Sequence, residues 1–180
     1  MRARTASVVV VFCLATLAPV VSQQLPDASL RAAYLFNFAT FTGWPVGALA
    51  PGAPLSICTD DEAVFLALRD GVDGKLVGDH AITSRRLASP DDARRCHIEY
   101  RRLPVADGKR LFGELTRAHV LTITDNTGDL RDGSIAQFFI EGRRLRFAIH
   151  VTNAERAGLR ISSRLLALAV IHRTPAGHTP

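Results

Sequence analysis

The sequence predicts an α/β fold: a single-domain α/β sandwich, with a mixed β-sheet flanked by helices. Three observations carry this. Short apolar strands alternate with helix-patterned stretches from Leu55 to Thr124, the order that builds helix-on-sheet layers. Two strand-like runs then flank Glu141-Gly142, which reads as a β-hairpin and makes the sheet mixed. Ahead of both lies LRAAYLFNFATFTGWP, Leu30 to Pro45, with five of the twelve aromatics and the single Trp.

In that stretch Leu30, Ala33, Tyr34, Asn37, Phe38 and Phe41 fall on one helical face. Asp27 or Ser29 can cap the start, and Pro45 ends the helix because the residue before a proline leaves the α region. Phe36 lies off the stripe, so the helix is expected to be covered on more than one side, with the domain packed around it.

The remaining elements follow in order. Val46 to Pro54 is a Gly/Pro/Ala loop. Leu55 to Thr59 is a strand, and Asp60 caps a helix with apolar Ala63, Val64, Leu66, Ala67 and Leu68, closed by Gly71 and Gly74. Asp79 to Leu87 holds a second strand, and Ser89 to Arg95 a turn or short helix. Cys96 to Arg102 alternates, with Cys96, Ile98 and Tyr100 on one face and His97, Glu99 and Arg101 on the other. Asp107 to Arg117 is a helix with Leu111, Phe112 and Leu115 inward, and His119 to Thr124 is a strand. A polar loop, Asp125 to Gly133, leads to the hairpin strands Ile135–Ile140 and Arg143–Val151. Thr152 to Glu155 has a capping-box pattern for a short helix ended by Gly158. Leu159 to Ile161 is a brief edge strand, and Ser162 caps a final helix with Leu165, Leu166, Leu168, Ala169 and Ile171 inward.

Arg2 and Arg4 followed by the apolar run Val8–Val21, with small residues Val20 and Ser22, read as a secretory signal peptide cut near Ser22. Residues 1–22 are then the signal, 23–174 the folded domain and 175–180 a tail. The expected compartment is the periplasm. Without Arg2 and Arg4 the net charge of +5 falls to +3, and the basic residues are scattered among acids, which argues against nucleic acid as a partner. Cys13 leaves with the signal, so Cys58 and Cys96 remain as one pair and a disulfide is the natural reading in an oxidising compartment. The alternative, a redox or metal pair, has no CxxC and no His cluster behind it.

No catalytic constellation stands out, and neither a cofactor nor a metal is expected. Ser162, Ser163, His150 and Asp125 are triad residue types, but neither serine sits in a GxSxG elbow. His97 and Glu99 share a strand face as two metal-ligand types without a third; the plainer reading is a solvated sheet face. The Gly128–Gly133 loop lacks a P-loop lysine and a dinucleotide fingerprint. His150 reads as a surface or satisfied histidine, with a pH-sensing contact as the sharper alternative. Aromatics near Trp44 are either core or the frame of a small-molecule pocket. Arg160, Arg164 and Arg173 beside Leu165 and Leu168 make either a plain amphipathic helix or a face that docks a partner's helix or a second copy.

Taken together, LRAAYLFNFATFTGWP, LSICTDD (Leu55–Asp61), Cys96–Ile98, VLTITD (Val120–Asp125), the hairpin Asp132–Val151 and AERAGLRISSRLLALA (Ala154–Ala169) resemble the YfiR-like family of small periplasmic proteins. The resemblance spans nearly all of 23–174 in order. It implies a non-enzymatic repressor that binds the periplasmic sensor domain of an inner-membrane diguanylate cyclase. It further implies an outer-membrane, peptidoglycan-associated lipoprotein that sequesters the repressor, and cyclic di-GMP and biofilm as the output. A homodimer is a further expected arrangement. The candidate partner-binding residues are Trp44, Phe147, His150, Ile161, Arg164, Leu165 and Leu168. The hairpin departs from the family pattern: it opens Asp132-Gly133 where relatives have Gly-Gly, and reads Phe147-Ala148-Ile149-His150 where they have Phe-Glu-Ile-Asn. A second cysteine pair of some relatives is missing. The Ala148 and His150 changes bear on any partner contact made through that strand.

Overall fold

The computed structural model describes residues 27–102, 108–125, 130 and 132–174. The stretches expected to be the signal peptide and the tail, and most of the Asp125–Gly133 loop, lie outside the described residues. The described chain forms a mixed eight-stranded sheet with helices, the expected α/β class. The strands are β2 (Leu55–Thr59), β3 (Leu76–Val77), β4 (His80–Arg86), β5 (Ile98–Arg101), β6 (Leu121–Asp125), β7 (Ala136–Glu141), β8 (Arg144–His150) and β10 (Val170–His172). Their order is β10-β8-β7-β6-β5-β2-β4-β3. β4, β2, β5, β6 and β7 run parallel, β8 returns antiparallel to β7, and β10 runs parallel to β8. A separate pair joins β1 (Thr42–Gly43) to β9 (Arg160–Ile161).

From β2 the chain moves one way along the sheet to β4; from β5 it moves the other way to β6. Right-handed crossovers therefore put α2 (Glu62–Gly71) and α3 (Gly108–Arg117) on opposite faces. The core is split to match. A large cluster joins α1 (Asp27–Thr40) and α2 to the sheet, and a small one gathers Ala93, Leu111, Phe112, Leu115 and Val120 around α3. Covered on both faces, β2 is buried at every position, and β5 buries Ile98, Glu99 and Tyr100 in succession. The solvated face expected for His97 and Glu99 is thus corrected: Glu99, at 0% exposure, is inside, although Ile98–Arg101 is the strand expected there.

α1 does organise the core, but on a different stripe. It buries Arg31, Ala32, Leu35, Phe38 and Ala39, while Ala33 and Asn37 face solvent. Phe38 and Tyr34 pack edge-on or tilted against Phe138 and Phe147 of the hairpin at 5.2–6.0 Å, and Tyr100 completes the cluster 5.9 Å from Phe138. The helix stops at Thr40, not at Pro45, because Thr42 and Gly43 turn away to pair with Ile161 and Arg160. Asp61, not Asp60, caps α2, its Oδ1 accepting the Val64 N–H at 2.9 Å.

Three further expectations shift. The hairpin turn is Gly142-Arg143, both at positive φ, with Glu141 and Arg144 as the closing pair. α4 spans Val151–Arg156 and is capped by His150, whose Nδ1 accepts the Asn153 N–H at 3.3 Å; Thr152 lies inside the helix. The final helix α5 is one turn, Ser163–Leu166, capped by Ser162. The chain beyond it becomes β10, so Ile171 is a strand residue.

Candidate interaction surfaces

The two edges of the parallel sheet differ in chemistry. The edge where β2, β4, β5 and β6 begin collects every described histidine. His80 opens β4, His97 precedes β5, His119 precedes β6, and His150 and His172 end the returning strands β8 and β10. Four of them fasten loops. His80 Nδ1–H donates to Ala53 O at 2.8 Å, and His119 Nδ1–H to Ala157 O at 2.7 Å. His97 Nδ1 accepts the Ser56 N–H at 3.0 Å, so its proton sits on Nε2, which donates to Ala48 O at 3.2 Å. His150 works the same way: Nδ1 accepts from Asn153 and Nε2–H donates to Thr174 Oγ1 at 3.3 Å. Burial holds the His97 and His150 imidazoles below the ordinary histidine value. A ring nitrogen that accepts a backbone N–H must be unprotonated, so geometry and burial agree on neutral rings.

Trp44 stands at this edge, half-buried, its ring edge-on to His97 at 6.1 Å. With Pro45, Leu49, Leu55 and Val77 it borders a cavity of about 570 Å³. Two wall residues carry a buried polar atom without a protein partner, Trp44 Nε1 and Thr42 Oγ1.

The opposite edge is a row of ion pairs that the residue pattern did not reveal. Arg31 reaches from α1 to Asp125 at the end of β6, with Nη2–Oδ2 at 2.6 Å and Nε–Oδ2 at 3.0 Å, and also pairs with Asp27. Arg101 bonds Glu99 and lies 3.4 Å from Asp60; Arg102 lies 3.2 Å from Asp61. Burial lifts the Glu99 and Asp125 carboxyls, and the arginines pull the other way. For Arg31 burial opposes the charge, but the bonds to Asp125 and Asp27 outweigh it and raise its value. The only legible trace was the Asp27–Arg31 spacing of four within a helix.

These placements settle the residue pairings weighed above. Asp125 is bound to Arg31 at one edge and His150 caps α4 at the other, so they do not form a triad with Ser162 or Ser163. His97 spends both nitrogens on backbone groups and Glu99 is bonded by Arg101. Among the described residues no three His, Cys, Asp or Glu side chains converge on a metal position. Cys58 of β2 and Cys96 before β5 form a disulfide, Cα–Cα 6.0 Å, with both residues buried.

The seven candidate partner-binding residues separate. Phe147, 2% exposed, belongs to the aromatic core, and Leu165, also 2% exposed, anchors α5 inward; neither offers a surface. Trp44, His150 and Ile161 are half-buried, and Arg164 is exposed. Leu168 is 66% exposed and continues into Val170 and Ile171, 39% and 40% exposed on β10. The sequence predicts a helix running on to Ile171, although the Val170-Ile171 pair equally suits a strand.

The fold and sequence have relatives. A crystal structure of a conserved domain protein from Vibrio cholerae O1 biovar El Tor str. N16961 superposes with a TM-score of 0.50 at 11% identity. The match covers 82% of this chain and 60% of that one, a likeness of fold alone. No curated protein matches the chain. The YfiR/HmsC-like family profile matches residues 28–170, from the second residue of α1 to the first of β10. A periplasmic regulatory role is what this family carries, and with that match the chain belongs to the YfiR/HmsC-like family.

Proposed function

We propose that the protein is a periplasmic repressor that binds the sensor domain of an inner-membrane diguanylate cyclase and lowers cyclic di-GMP synthesis. The observation that carries this reading is the family match over residues 28–170. A signal peptide cut near Ser22 delivers the chain, and an outer-membrane, peptidoglycan-associated lipoprotein relieves repression by sequestering it. Contact is made by the more accessible members of the candidate set, Ile161, Arg164 and Leu168, and by the half-buried Trp44 and His150 at the histidine-lined edge. The repressor acts by stoichiometric binding rather than by turnover. Cells lacking the gene should show raised cyclic di-GMP, and the purified protein should titrate the cyclase's periplasmic domain to a fixed ratio. Unchanged cyclic di-GMP across several growth conditions, with no binding in the titration, would remove the reading.

The cavity beside Trp44 supports a second reading, a small-ligand or redox-responsive module acting with another envelope protein. Thermal-shift screening with and without reductant tests it. A flat ligand screen together with an unchanged melting temperature on reduction rules it out.

A further inference from the structure

The charge of the chain is divided unevenly along its length. Residues 142–174 carry seven arginines and one glutamate, whereas residues 23–141 carry 13 Lys/Arg against 16 Asp/Glu. The basic segment builds β8 and β10, the last two strands at one end of the eight-stranded sheet, together with α4, α5 and β9 of the separate β1–β9 pair. All seven arginines are exposed. Arg146 has a carboxylate partner, Glu141 at 3.4 Å. Among the described residues the other six have none, while arginines elsewhere, such as Arg31, Arg94 and Arg102, are paired.

At the rim of this basic end lies an open strand edge. β10 pairs with β8 on one side, through Val170–Ala148, Ile171–Ile149 and His172–His150, and stands last in the sheet order. Successive strand residues point to opposite faces, so the partial exposure of both Val170 and Ile171, 39% and 40%, leaves β10 partly open above and below. Leu168 extends the apolar surface on one side and Arg173 follows the strand on the other.

We infer that the outer edge of β10 is a strand-addition site for an extended, acidic segment of a partner protein. This rests on the protein-binding reading above and names the partner's chemistry. Outward backbone groups of an edge strand ask for another strand. Apolar side chains of that strand would cover Val170 and Ile171, and its carboxylates would meet Arg164 and Arg173. A second copy of this chain would bring a like-charged edge to a like-charged edge. A membrane surface cannot bond the strand's backbone, and Val170 and Ile171 cannot enter it together from opposite faces.

The test uses the mature protein and synthetic eight-residue peptides alternating Asp with Val, or Lys with Val. The Asp peptide should bind in fluorescence anisotropy, weaken as salt is raised, and slow hydrogen exchange within residues 168–173. The Arg164→Glu/Arg173→Glu variant should bind about tenfold or more weakly, because charge complementarity is reversed, with an unchanged melting temperature. Equal binding of both peptides, or no loss in the variant, overturns the inference. So does a dimer, seen by light scattering, that protects the same residues. Binding to anionic phosphatidylglycerol vesicles in place of the Asp peptide also overturns it. The cyclase sensor domain is titrated in parallel. Sensor binding that the double variant leaves intact removes the β10 site while the repressor reading stands. Peptide binding without sensor binding removes that cyclase as partner while the β10 site stands.

Discussion

Arg31 shows how one side chain resets a helix. A hydrophobicity pattern never assigns an arginine to the buried stripe of α1, yet Arg31 lies there because Asp125, 94 residues later, accepts two of its N–H groups. Removing one partner of such a pair leaves the other charge buried and unpaired, which costs more than the pair contributes. Arg31→Met is expected to destabilise the protein by about 3 kcal/mol, read from urea melts. Arg31→Met combined with Asp125→Leu should cost less than Arg31→Met alone; a larger, additive loss would show that Arg31 acts through something other than Asp125. His97 gives a pH signature at the same scale. Its folded-state value is lowered by burial, so as pH falls through the ordinary histidine range the unfolded chain takes up a proton that the folded chain refuses. Its contribution is therefore complete above about pH 6.5 and is lost on acidification. The raised carboxyls of Glu99 and Asp125 favour the folded state as pH falls, so the histidine is isolated by difference. His97→Gln, which keeps an acceptor and a donor, should lose less stability than wild type between pH 7.5 and pH 5. Parallel pH profiles would refute this role for His97.

At the scale of elements, the sequence was most legible where local pattern and tertiary demand agree. β2, the core residues Leu111, Phe112 and Leu115 of α3, and the pairing of β7 with β8 follow from periodicity and turn chemistry. What was not legible was decided at a distance. Leu165–Ile171 suits a helix or a strand, and β10 exists because Ala148–His150 is there to pair with it. β3 is two residues, too short for any period to register. Asp60 was the expected cap of α2, but Arg101 draws it into the ion-pair row while Asp61 caps. The hairpin turn slipped by one because Glu141-Gly142 carries the glycine that signals a turn, yet the two turn residues are Gly142 and Arg143. That slip has an energetic consequence. Arg143 sits at φ 66°, a left-handed conformation that costs a side-chain-bearing residue about 1 kcal/mol. Arg143→Gly removes the cost and gives back some unfolded-state entropy, so a net gain of about 0.5 kcal/mol is expected in a urea melt. Destabilisation instead would mean that the Arg143 side chain makes a contact worth more than its backbone penalty.

At the scale of the whole molecule, the Cys58–Cys96 disulfide crosses the point where the chain reverses its direction along the sheet. β2 goes to β4 on one side and the chain then returns to β5 on the other, so the bond closes a loop that contains α2, β3 and β4. Closing a span of 38 residues stabilises the fold by about 4 kcal/mol in the chain-entropy account. A domain of this kind holds only about 5–15 kcal/mol in total, so the bond is a large share. The loss should fall unevenly: β4 and β3 stand at the end of the sheet and depend on β2 for their pairing, whereas the aromatic cluster of α1, β5, β7 and β8 lies outside the loop. Cys58→Ser/Cys96→Ser is therefore expected to unfold at markedly lower urea and to lose hydrogen-exchange protection first in residues 76–86. Since both cysteines are buried, reductant should act slowly on the native protein and quickly once urea opens that end. Intact-mass analysis after alkylation follows the reaction: a chain of residues 23–180, which holds Cys58 and Cys96 as its two cysteines, should take up no label before reduction and two after it. Label at both cysteines without reductant would mean that the bond is absent, and equal melts of wild type and double variant would mean that it contributes nothing to holding the β3–β4 end in place.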